Sequence, residues 1–142
     1  MIDPVVLPET DPAIRRTSSR WARGMTACLV VYWLLLFTAT HLPQVPQELE
    51  PGFSDKWQHG LAYGLLAILL TFTLAARGRF HSGAALKSAF VLAWYAAIDE
   101  WLQIPVGRQC DLFDWYADIA GVIVGLTAAS LIVFRLRSRQ SP

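Results

Sequence analysis

The chain has 142 residues, 54% hydrophobic and only 16% charged, with a formal net charge of +1 and a mean hydropathy of +0.38. That length points to one domain, and the apolar excess argues against an ordinary soluble fold. With no basic face there is nothing to grip nucleic acid, and two cysteines make no disulfide framework.

Residues 1–20 carry Pro4, Pro8 and Pro12 among few large apolar side chains, which predicts a mostly disordered cytoplasmic tail. The apolar run that follows is long, and His41-Leu42-Pro43 shows no small-residue cleavage pattern, so an uncleaved anchor is expected rather than a signal peptide. Hydropathy predicts spans over Trp21–His41, Trp57–Ala76, Ala84–Ile104 and Leu112–Phe134. Each is about 20 residues, or about 30 Å as a helix, matching the hydrocarbon core. The third is the weakest: its charge-free stretch runs only from Ser88 to Ile98, with Lys87 at one end and Asp99-Glu100 at the other. A buried soluble helix is its alternative. Pro105 then stops the helix, and Val106-Gly107 turn the chain.

The expected fold is therefore all-α, a bundle of four transmembrane helices over residues 21–136, with a basic tail at 137–142. Loop charges orient it. Arg15, Arg16, Arg20 and Arg23 precede span one; Arg77, Arg79 and Lys87 lie between spans two and three; Arg135, Arg137 and Arg139 follow span four. The other two connections are acidic, with Lys56 and Arg108 as their only cations. The positive-inside rule predicts that both termini are cytoplasmic. Cys28 and Cys110 then lie at different depths and do not pair.

The stretch Ala97–Gly125 concentrates the polar chemistry: Asp99, Glu100, Gln103, Arg108, Asp111, Asp114 and Asp118 between apolar runs. Asp111, Asp114, Asp118, Gly121 and Gly125 share one helix face. In span two, Asp55, His59 and Tyr63 share another, beside the pair Gly60 and Gly64. Ser54 or Asp55 suits the N-cap of span two, and Asp111 that of span four. At about 1.5 Å of rise per residue, His59, Asp99 and Asp118 all lie about 6–10 Å below the outer boundary. Asp55, Lys56, Arg108, Asp111 and Asp114 would ring the mouth above them. Ionisable groups meeting inside a membrane make this the candidate site.

Asp55-Lys56-x-x-His59-x-x-x-Tyr63, Asp99-Glu100-x-x-Gln103, Arg108 and Asp114-x-x-x-Asp118-x-x-Gly121 resemble the VanZ-like family of small bacterial membrane proteins. The likeness covers about residues 54–126 and departs from the family at Asp118, where asparagine is usual. It implies a bacterial cytoplasmic-membrane protein of the cell envelope. The family is named for a protein associated with resistance to teicoplanin, an antibiotic acting on wall precursors.

Two functional classes follow. In one, an envelope enzyme acts on a lipid or lipid-linked wall precursor: Arg108 and Lys56 hold an anionic head group, His59 is acid/base or nucleophile, and Asp99 and Asp118 orient it. Asp55, Tyr63, Glu100, Gln103 and Asp114 complete the pocket. In the other, the pocket binds a lipid or partner without chemistry. A structural ion-pair network of Asp99, Arg108 and Asp114 is the plainer alternative. A proton or ion pathway is weaker, because no charged residues continue the route inward. His59, with Asp55 one turn away and Asp99 or Asp118 across the gap, also raises a divalent metal; the spacing matches no closed zinc motif, carboxylate-rich ligation suits magnesium, calcium or manganese as well, and a hydrogen-bonded core histidine is the plainer reading. His41 could contribute from span one, and His81 is expected to be solvated. Trp21, Trp57, Trp101 and Trp115 read as interfacial belts. The glycine pairs read as packing features rather than phosphate loops.

Overall fold

The computed structural model describes residues 12–42, 55–108 and 110–139. They form four helices, α1 (Pro12–Thr40), α2 (Asp55–Ala76), α3 (Ser82–Gln103) and α4 (Leu112–Ser138), with a 3-10 turn over Ile104–Val106 and no strand among the described residues. Ser19–Thr40, Lys56–Ala76 and Leu112–Ser138 are long and apolar enough to cross a membrane. α3 carries Lys87, Asp99 and Glu100 and falls outside that group.

The turns are built from local chemistry. Gly78, at φ +67°, closes α2: its N–H donates to the Ala75 carbonyl and that of Arg79 to Leu74, a Schellman ending. Gly107, at φ +80°, repeats this, with its N–H on Ile104 and that of Arg108 on Gln103. Pro105 stands inside the 3-10 turn, so the expected stop is where the sequence puts it. Asp111 caps α4, accepting from the Phe113 N–H at 2.9 Å. One local expectation differs. α1 begins at Pro12, inside the segment read as a tail: proline is preorganised for a first helical position, and adding residues to an existing helix is easy. His81 is exposed, as expected, and has a further role that the sequence reading lacks: it accepts from the Ala84 N–H and caps α3. Ser54 lies outside the described residues.

α2 and α4 run in the same direction, because Lys56 meets Asp114 and, further along both, Gly64 meets Gly121. α1 runs against α2: the Tyr32 hydroxyl donates to the Ala62 carbonyl at 2.9 Å, while Arg77 reaches Thr26 near the other end. α3 runs against α4, with Asp111 beside Glu100 at one end and Arg137 donating to the Phe80 carbonyl at the other. The start of α1 and the end of α4 thus share one end of the bundle.

The α2–α4 seam is the closest in the molecule. Gly60 and Gly64 face Ala117, Gly121 and Gly125, so backbone meets backbone as both glycine pairs predict. Around it the core is Leu36, Tyr63, Leu66, Ala67, Leu92, Ala96, Val122 and Leu126. The outside is inverted relative to a water-soluble protein. Phe90, Trp94 and Val124 are 69%, 73% and 68% exposed, whereas Asp99 and Asp118 are 1% exposed. So large an apolar exterior calls for a partner of the same polarity.

Candidate functional site

Three helices bring their ionisable residues together near the α3–α4 connection. The sharpest contact is His59 on α2 with Asp118 on α4, Nδ1 to Oδ1 at 3.1 Å. Glu100 on α3 adds Oε1 at 3.6 Å from the same nitrogen. Glu100 is itself held on both oxygens, Oε1 accepting from the Gln103 amide and Oε2 from the Asp111 N–H, each at 3.3 Å. One nitrogen and one oxygen each from Glu100 and Asp118 lie within 4.8 Å of one another, all on buried residues. These three are the described groups placed to hold a metal.

Asp99 faces elsewhere. It accepts from the Thr40 hydroxyl at 3.3 Å and from Tyr95 at 3.5 Å, with His41 Nδ1 at 3.9 Å. The sequence puts Asp99 or Asp118 opposite His59; the structure has Asp118 there, with Glu100 rather than Asp99 beside it. Successive residues on a helix point about 100° apart, so one turns to α1 and its neighbour to α4. Thr40 and Tyr95 were absent from the sequence-derived set. Tyr95 precedes Asp99 by one helical turn, which is a legible signal; Thr40 depends on how α1 packs, which is not. His41 stacks on Phe37 at 4.0 Å and its Nδ1 lies 2.8 Å from the Phe37 carbonyl, so α1's own backbone engages that nitrogen.

Lys56 also departs from expectation. It bridges Asp111 at 3.0 Å and Asp114 at 2.9 Å, clipping the start of α2 to the start of α4. Asp111 is held below the usual carboxylate range, by the Phe113 N–H first and by Lys56 second. Its share of the cap is therefore present above the ordinary carboxylate range and is lost only as pH falls through that lowered value. The alternative grouping of Asp99, Arg108 and Asp114 forms no ion pairs among its own members in the described residues: Asp114 pairs with Lys56. The side chain of Asp55 lies outside the described residues.

Arg108 borders a cavity of about 150 Å³ with Leu36, Ala39, Thr40, Gln58, His59, Ala62 and Tyr63. The Schellman turn at Gly107 sets its backbone there. Among the described residues Arg108 has no ion-pair partner, although several carboxylates lie on neighbouring elements. The Tyr63 hydroxyl and Asp118 Oδ2 are buried without a hydrogen-bond partner. Cys28 and Cys110 are exposed and free.

Fold and site together define an all-α bundle with an apolar exterior and a buried histidine–carboxylate cluster beside a small cavity. No family model, curated protein or solved structure matches the chain.

Proposed function

We propose that this is a four-span membrane protein of the VanZ-like kind whose cavity binds the anionic head group of an envelope lipid or lipid-linked wall precursor. Arg108 holds the head group, and His59, oriented by Asp118, is the acid/base group against it. The observation that carries the reading is that Arg108 borders the cavity together with His59 and has no carboxylate partner among the described residues. A cation so placed favours an anionic ligand. The link to glycopeptide resistance is supported by the family resemblance alone.

α3 as the fourth span is supported by its surface rather than its average composition. Leu86, Phe90, Trp94, Ile98 and Trp101 form an exposed apolar stripe, while Asp99, Glu100 and Gln103 turn inward. The basic residues gather at the end that holds both described termini, which supports a cytoplasmic position for them. Alkaline phosphatase fused after Pro51 or Gly107 is expected to be active, and fused after Gly83 or Gln140 inactive. An active fusion after Gly83 would reverse the orientation of α2 and α3.

Head-group binding is tested in nanodiscs by titrating a polyprenyl phosphate against a phosphatidylcholine background. A charge-assisted bond is worth about 1.5–3 kcal/mol, so Arg108→Ala should weaken binding by roughly 10- to 100-fold. His59→Ala should bind nearly as wild type and lose any turnover. Unchanged affinity in Arg108→Ala would remove the guanidinium from the reading. A second reading, a scaffold whose charges only fix helix packing, is favoured by the Lys56 clip and the His59–Asp118 contact, both of which tie α2 to α4.

A further inference from the structure

The histidine–carboxylate cluster has a feature that head-group binding leaves unused. We propose that His59, Glu100 and Asp118 form a site for a divalent transition-metal ion of the zinc class, with one coordination position left open by the protein.

Geometry comes first. A tetrahedral ion with bonds of about 2.1 Å holds its ligand atoms about 3.4 Å apart. His59 Nδ1 stands 3.1 Å from Asp118 Oδ1 and 3.6 Å from Glu100 Oε1, on either side of that value. The remaining edge lies within 4.8 Å. One ligand comes from each of α2, α3 and α4, so the ion joins three helices.

A buried atom points to a missing ligand. Asp118 is 1% exposed and its Oδ2 has no hydrogen-bond partner. A buried polar atom left unpaired costs about 1–3 kcal/mol. A metal takes up that oxygen.

Charge agrees. A metal takes the imidazole in its neutral form and the carboxylates ionised, and a divalent ion then cancels the two negative charges buried in the apolar bundle. The donor set selects the kind of ion. One imidazole nitrogen with two carboxylate oxygens suits Zn²⁺, with Mn²⁺ next, whereas Mg²⁺ and Ca²⁺ prefer oxygen alone. Three protein ligands with one free position is the pattern of a catalytic rather than a structural zinc site. The outer shell is present too, because the Gln103 amide and the Asp111 N–H already orient Glu100, as supporting groups do around bound metals.

This inference does not rest on the head-group reading, and its test contains no lipid ligand. The full chain, tag-free and carrying Cys28→Ser and Cys110→Ser to remove thiols that would themselves take zinc, is loaded with Zn²⁺ in detergent. It is then desalted and assayed for metal and protein. About one Zn²⁺ per chain is expected. Glu100→Gln, Asp118→Asn and His59→Ala should each retain at least tenfold less, while His81→Ala retains the full amount. Elution volume and helical circular dichroism check that the variants fold. X-ray absorption on the zinc-loaded chain with all three ligands intact covers the case where they do not: it should report one imidazole and otherwise oxygen ligands. Failure to retain zinc in that chain would overturn the site. So would undiminished retention in the folded variants, or a zinc shell with no imidazole or with more than one.

Discussion

Gly121→Ala is expected to deplete the protein from the membrane fraction and to lower its stability by about 3 kcal/mol or more. A Cβ at Gly121 would collide with the Gly60 carbonyl oxygen, and one at Gly125 with that of Gly64. Overpacking in a core commonly costs about 1–3 kcal/mol because a neighbouring side chain can shift. Here the blocking atom is backbone, so the two helices must move apart. Apolar surface gives membrane helices little reason to stay together once close packing is lost. The same separation pulls His59 from Asp118, so the site is lost with the seam. Other glycines calibrate the effect. At Gly60 an added Cβ would sit 3.3 Å from the Ala117 carbonyl oxygen, a tight contact that a small shift relieves; at Gly24 nothing lies within 4 Å. Thermal unfolding in detergent should therefore rank Gly24→Ala at or above wild type, Gly60→Ala moderately below, and Gly121→Ala far below. A Gly121→Ala protein as stable as wild type would mean that α2 and α4 do not approach this closely.

That seam was legible in the sequence because small residues at a spacing of four have few uses inside apolar helices. So were the Asp111 cap and the stop at Pro105, both set by residues adjacent in the chain. The site was legible in its membership and less so in its pairing. His59, Glu100, Gln103 and Asp118 converge, and the pairing of His59 with Asp118 is one the sequence offers; Asp99, placed with them by its depth, turns instead to Thr40 and Tyr95, because depth along a helix is read from residue counting whereas direction around it depends on packing. Lys56 shows the same limit. Sequence gives a cation at the mouth, and only the approach of α4 reveals that Asp111 and Asp114 already occupy it. Thr40 reaches Asp99 across 59 residues of chain, a contact that no local pattern encodes.

Replacing Asp118 with leucine is expected to cost about 3–5 kcal/mol, the usual consequence of removing one partner from a buried pair. The loss is more than a missing bond, since the buried His59 nitrogen would then have only Glu100 near it, at 3.6 Å. Asparagine is the informative contrast. It keeps an oxygen for the His59 N–H and removes the negative charge, so Asp118→Asn should lose about 1–2 kcal/mol. Removing both partners, as His59→Leu with Asp118→Leu, should recover much of the loss, because apolar replacements for buried pairs are often close to neutral. Thermal unfolding of the four proteins completes the cycle, and a coupling near zero would show that the two side chains do not interact. The double variant also divides the two functional readings. If the pair serves only to join α2 and α4, a stable double variant should keep whatever cellular phenotype the wild type confers. If His59 works on a bound head group, that variant should be abundant, correctly inserted and inactive. Abundance together with full phenotype would leave the charged cluster a packing device, and Arg108 would have to account for binding without it.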